Sequence, residues 1–188
     1  DTSQVQGSTD QMDVNLKVAK KPTGNFQIGA GYSSMEGLTF MGSVTQSNLF
    51  GTGNHLTAQV NTSKVNQIYS ISYTNPYYTD DGISRGFDVY QRKTDGTQTY
   101  TSQYKSETAG AGVRFGVPIS DDETFQYGLS TETTTIHLTT ASPQRYIDYV
   151  GIFGATTNTL LGTIGWTRDT RDSAIFTTEG TVQRSFIE

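Results

Sequence analysis

Cysteine is absent from the chain, which excludes disulfides and thiolate metal sites and leaves the redox compartment open. Also missing is any run of about eighteen apolar residues, so no transmembrane helix is expected. That exclusion does not reach membrane-spanning barrels, whose strands are apolar on one face and average out as polar. Basic residues are few: 13 Lys and Arg stand against 18 Asp and Glu, a net charge of -5. With a pI near 4.9 and no basic patch, nucleic acid is not an expected partner. Hydrophobic residues make up only 33% and mean hydropathy is -0.49, which fits either a modest soluble core or a half-apolar wall. No basic segment followed by an apolar one opens the chain, so no signal peptide is expected. Glu188 falls in mid-pattern, and both ends read as cut.

What the chain does have is glycine, 20 residues, and aromatics, with 11 Tyr and 9 Phe. Both suit a transmembrane barrel or a soluble β-sandwich. The run from Asn25 decides the local structure. Phe26, Ile28, Ala30 and Tyr32 alternate with Asn25, Gln27, Gly29, Gly31 and Ser33, the period of a strand with one apolar face. Gly29 and Gly31 weaken that strand, because glycine brings no side chain to pack. The alternation then recurs. Strands are expected at 37–46 (Leu38, Phe40, Gly42, Val44), 54–64 (Leu56, Ala58, Val60), 67–75 (Tyr69, Ile71, Tyr73) and 83–93 (Phe87, Val89). Further strands follow at 107–117 (Ala109, Ala111, Val113, Phe115, Val117), 124–136 (Phe125, Tyr127, Leu129) and 159–168 (Leu160, Ile164, Trp166), with a ninth beginning near Glu179. Ahead of them, 1–12 reads as loop and 13–19 as a short strand burying Val14, Leu16 and Val18. Pro22 closes this opening segment, so a domain boundary is placed there.

The segments 94–106 and 137–158 read as long polar connections, and 118–123 as a short acidic turn. Short links on one end and long ones on the other are the wiring of an outer-membrane barrel, although 34–37 and 64–66 are shorter than that scheme requires. Strands of about ten residues match a tilted membrane span. On that reading Phe40, Tyr69, Ile71, Val113, Phe115, Tyr127, Leu129 and Trp166, with the apolar residues of the first strand, face lipid.

The candidates for chemistry are weak. His55 and His137 lack ligand spacing, so no metal is expected. Asp121, Asp122 and Glu123 read as a solvated turn. Arg168, Asp169, Arg171 and Asp172 read as a salt-bridged rim or lumen network. Arg114, set between glycines, needs a carboxylate, and Glu132 on the next strand is the candidate. Gly110-Ala-Gly112 lacks the helix of a phosphate loop, and no serine has a base in motif range. Neither an enzyme nor a cofactor is expected.

Five segments carry a family resemblance: K-P-T-G-N-F-Q-I-G-A-G-Y-S-S at 21–34, S-N-L-F-G-T-G at 47–53, T-N-P-Y-Y at 74–78, T-A-G-A-G-V-R-F-G-V-P-I at 108–119 and G-W-T-R-D-T-R-D-S-A-I-F-T-T-E-G at 165–180. In order and spacing they resemble the BamA family of outer-membrane β-barrel assembly factors, rather than the related two-partner secretion or autotransporter-assembly translocators. The resemblance implies an all-β fold: residues 1–21 ending the last periplasmic POTRA domain, and 22–188 forming about eight strands of a sixteen-stranded antiparallel transmembrane barrel. It implies a lateral gate at 24–33, where Asn25, Phe26, Gln27, Ile28, Gly29, Ala30, Gly31 and Tyr32 pair with substrate strands. The implied partners are unfolded outer-membrane β-barrel proteins, accessory lipoproteins of the assembly complex and outer-membrane lipid. The implied location is the Gram-negative outer membrane with the N-terminal tail in the periplasm. Set against this are a porin-like or protein-translocating barrel and a soluble ligand-binding barrel whose apolar faces point inward.

Overall fold

The computed structural model describes residues 2–4, 12–14, 16, 19, 22–98, 103–173 and 175–188. Two separate antiparallel sheets form. The first pairs β1 (Thr2–Gln4) with β2 (Met12–Val14). The second contains β3 (Gly24–Ser33), β4 (Gly37–Gln46), β5 (His55–Thr62), β6 (Asn66–Asn75), β7 (Ser84–Asp95), β8 (Tyr104–Pro118), β9 (Glu123–Leu138), β10 (Thr156–Asp169) and β11 (Val182–Ile187). These nine strands follow one another in space as in sequence, an antiparallel meander with β3 and β11 at its two edges. The sheet is open.

The all-β, antiparallel expectation holds, and the stretches of period two became strands. The strand count was expected at about eight with a truncated ninth, and β11 supplies a formed ninth. Three local expectations fail. Residues 2–4, read as loop, form β1, and Val14 and Leu16, read as buried, are 63% and 85% exposed, since no described residue covers them. Val18 lies outside the described residues. The polar link 94–106 shrinks to 96–103, because β7 and β8 run on and are pinned by Lys93–Glu107 at 2.9 Å and Lys105–Asp95 at 2.8 Å. The segment 137–158 holds a helix, α1 (Gln144–Phe153), between Pro143 and Gly154. Its Tyr146, Tyr149, Val150 and Phe153 follow the helical i, i+3, i+4, i+7 spacing, a signal hidden by the polar residues around it.

The connections do not sort into a short end and a long end. One end of the sheet carries 34–36, 63–65, 96–103 and 139–155; the other carries 47–54, 76–83, 119–122 and 170–181. On the first end the two links nearest β3 have three residues each, and those beyond are longer. Residues 22–23 enter β3 at the second end.

No packed core exists among the described residues. Val65, at 6% exposure, is their one buried hydrophobic residue, and no large side chain is fully enclosed. Cohesion comes from the ladders and cross-strand pairs. Both faces of the sheet stay accessible.

Candidate functional site

The first candidate is the edge of β3. Its ladder with β4 runs without a bulge from Gly24↔Gln46 to Ser33↔Gly37. The N–H of Ser47 donates to the C=O of Thr23 at 2.8 Å, so Thr23↔Ser47 is a hydrogen-bonded pair. Because such pairs alternate along an antiparallel ladder, residues 25, 27, 29, 31 and 33 direct their N–H and C=O groups to β4. Phe26, Ile28, Ala30 and Tyr32 direct theirs outward, and no strand meets them there among the described residues.

Side chains add little to this edge. Phe26, Ile28 and Tyr32 are 65%, 75% and 80% exposed. Ser43 Oγ donates to Gln27 Oε1 at 3.3 Å, and Gln46 Nε2 to Thr23 Oγ1 at 3.0 Å. Among the described residues every ion pair lies in β7 to β10 or just beyond, none in β3 to β6. Gly29 lies beneath Met41, whereas a methyl group added at Gly31 would meet open space.

The second candidate is the apolar face. Cross-strand register aligns Phe26, Val44, Ala58, Ile71, Val89 and Ala111 in one row. Val113 opposes Leu129, Phe115 opposes Tyr127, and Tyr127 opposes Ile164. Phe40 opposes Ala30, Tyr69 opposes Val60, and Trp166 lies between Phe125 and Ser185. All eight residues expected to face lipid therefore share one side of the sheet. A depression of about 640 Å³ opens on that side where Ala109 and Ala111 lie between Val89 and Gln91 on β7 and Thr131 and Thr133 on β9.

The opposite face carries the polar network. Arg114 pairs with Asp88 at 2.5 Å, and its Nη2 donates to Ser72 at 3.0 Å and Thr74 at 2.9 Å. Glu132, the partner expected for Arg114, instead accepts the Tyr90 hydroxyl at 2.6 Å. Register explains the exchange: Gly86 lies opposite Arg114 and leaves room for its guanidinium beside Asp88, while Gly110 separates Tyr90 from Glu132. Gly110 is required by close approach, since a Cβ there would lie 2.6 Å from the Tyr90 ring.

The charged run near the end of β10 splits three ways. Arg168 meets Glu123 at 3.4 Å, and Arg171 clamps Asp169 at 2.6 Å. Asp172 turns instead to the 170–181 connection, accepting from the Thr178 hydroxyl and from the N–H groups of Thr178 and Glu179. Those donors, the hydroxyl foremost, hold its carboxyl at about 2, below the ordinary 3.8.

An open antiparallel meander with one apolar face, one polar face and no core is a piece of a β-barrel wall. A family model for the Omp85 superfamily domain matches residues 48–188. The chain belongs to that superfamily. It is 36% identical, over 96% of its length, to the outer membrane protein assembly factor BamA of Neisseria meningitidis, and 27% identical over 95% to that of Nitratidesulfovibrio vulgaris. It spans 24% and 22% of those two relatives, so about a quarter of their length. A crystal structure of BamA from Haemophilus ducreyi lacking POTRA domains 1–3 shares the fold, with a TM-score of 0.66 at 24% identity, over 99% of this chain and 37% of that one.

Proposed function

We propose that this chain is part of a machine that folds and inserts β-barrel proteins into the outer membrane of a Gram-negative bacterium, and that β3 is its lateral gate. The observation that carries this reading is how lightly β3 is held to β4, with few side-chain bonds and no ion pair among the described residues. Phe26, Ile28, Ala30 and Tyr32 hold their N–H and C=O groups outward, on a strand secured by one ladder and few side-chain bonds. An incoming chain can add a strand there by main-chain pairing, which asks little of its sequence. In lipid, unpaired backbone groups are costly, so pairing and burial of apolar faces drive insertion without a nucleotide. No catalytic residue or cofactor takes part.

On this proposal, residues 1–21 end a periplasmic POTRA domain and 22–188 form the first half of the barrel. Phe40, Tyr69, Ile71, Val113, Phe115, Tyr127, Leu129 and Trp166 face lipid, and the Arg114–Asp88 and Tyr90–Glu132 contacts line the lumen. In support, those contacts reach from β8 to β6 and from β7 to β9, as side chains converging on the concave side of a curved wall would. The end where residues 22–23 enter is then periplasmic. The partners are unfolded outer-membrane β-barrel proteins, the accessory lipoproteins of the assembly complex and membrane lipid.

The test is a reversible lock. In the full-length protein, a cysteine replacing Ile28 is paired with one on the barrel's final strand. Insertion of a substrate barrel into proteoliposomes is expected to stop in the oxidised state and resume with reductant. Equal insertion in both states would make β3 plain wall and end the gate reading.

A further inference from the structure

At the entry end of the apolar face sits an arginine with no counter-ion among the described residues. Arg85 is the second residue of β7, level with Asn75 on β6 and Phe115 on β8. Alternation places it on the same side as Phe87 and Val89. Its guanidinium lies 3.7 Å from the centroid of the Tyr78 ring and 5.2 Å from that of Phe87. The Tyr78 backbone is held by its turn: the Tyr78 N–H donates to the C=O of Ile83 at 2.8 Å, and Gly82 closes the bend at a φ of +82°. This is a cation held by two aromatic rings.

Among the described residues no carboxylate pairs with Arg85, and its Nε is enclosed without an acceptor. Asp80 and Asp81 belong to the same connection, yet neither forms an ion pair with it. Elsewhere on the strands of this face, Lys93, Lys105 and Arg168 each meet a carboxylate, at 2.9, 2.8 and 3.4 Å. Arg85 stands apart from them, clamped in place and short of an anion. A guanidinium is a rigid fork that suits a tetrahedral oxyanion.

We propose that Arg85 binds the phosphate of a glycerophospholipid in the membrane leaflet at the entry end of the barrel. The inference rests on the reading that the apolar face lies in lipid. At that depth the acyl chains lie along Phe87, Val113 and Phe115, and the headgroup meets the side chain that reaches for the interface. Tyr78 and Phe87 keep the fork aimed while Asp80 and Asp81 remain with solvent. The site takes a phosphodiester, through charge-assisted hydrogen bonds.

The full-length protein in nanodiscs of phosphatidylglycerol tests this by native mass spectrometry after detergent washing. Wild type is expected to retain a bound phospholipid, and none in nanodiscs of a phosphate-free galactolipid. Arg85→Gln is expected to lower retention about tenfold, the effect of removing a charge-assisted contact, with Arg85→Lys intermediate. Tyr78→Ser, which frees the fork without changing charge, should lower retention, and Tyr78→Phe should preserve it. Heat-modifiable electrophoretic mobility identifies the variants that have folded. Unchanged retention in folded Arg85→Gln, equal retention of the galactolipid, or full displacement by inorganic phosphate would each overturn the proposal. A separate arm measures quenching of Trp166 by brominated acyl chains, as the difference between wild type and Trp166→Phe. Quenching together with unchanged retention in Arg85→Gln sinks the arginine site alone. Absence of quenching removes the lipid-facing reading and this site with it.

Discussion

Gly110 and Asp172 show how much a single position can settle. Gly110 exists so that Tyr90 can cross to Glu132. In Gly110→Val the added carbons would displace the phenol, break that hydrogen bond and crowd the wall. The expected cost is about 1–3 kcal/mol, read from equilibrium unfolding of the full-length protein in lipid. Asp172 belongs to a connection outside the strands, and its carboxyl titrates at about 2 in the folded chain against an ordinary 3.8. A depressed carboxylate stabilises the fold above its unfolded value and loses that contribution as protons bind. Amide-exchange protection at Thr178 and Glu179 is therefore expected to be flat above about pH 4 and to fall between there and pH 2. Asp172→Asn should flatten the profile, and a profile unchanged by that substitution would refute the assignment. Neither position was legible from the sequence. Alternation had already put Asp88, Tyr90, Arg114 and Glu132 on one face, but which of them meet depends on register, and period two carries no register.

At the level of the element, the ladder of β3 sorts its residues into two classes with different fates. Proline at Ile28 or Ala30 deletes an outward donor and leaves the bonds to β4 intact, as edge strands tolerate. Proline at Gln27 or Gly29 deletes a donor to β4. The expected outcome is that the first pair folds normally yet assembles substrates poorly, while the second pair loses heat-resistant folding. Gly31→Ala gives a converse test. Its methyl meets open space, so the strand stiffens without a clash, and the β3–β4 amides should gain about 0.4–1 kcal/mol of exchange protection. Slower substrate assembly should accompany that gain, and an unchanged rate would mean that looseness in β3 is not used. The strands themselves were readable because half-buried pleats demand alternation, and β4 was placed at 37–46 from that pattern alone. Helix α1 was not, since its apolar residues are diluted by Gln144, Arg145 and Asp148 in a window too short to dominate. The 94–106 link was overestimated for a related reason: Asp95 and Lys105 look like loop residues until cross-strand pairing neutralises them.

At the scale of the whole molecule, the nine-stranded sheet is a wall, and the described residues enclose no interior. Its energetics depend on what lies against each side. If the Val113 face is in lipid, arginine at Val113 or Leu129 should cost about 2–4 kcal/mol at mid-membrane depth, measured by unfolding from vesicles. Arginine at Ser130, on the polar side beside Leu129, should cost far less. Equal penalties on the two faces would refute the assignment of sides. That two-sidedness is legible in the sequence, because each strand alternates and the alternations agree in phase once neighbours are aligned. What alignment alone could not supply is the unequal height of the sheet. β3 and β4 each have ten residues, whereas β8 has fifteen and β9 sixteen. The wall is low on the β3 side, where β5 has only eight residues and the links 34–36 and 63–65 are tight turns. On the proposed reading this turns the gate into a ruler. An arriving strand finds only a handful of outward-facing residues to pair with, enough to fix a length close to one membrane crossing and too few to spell a sequence. Such an edge selects clients by how far they extend.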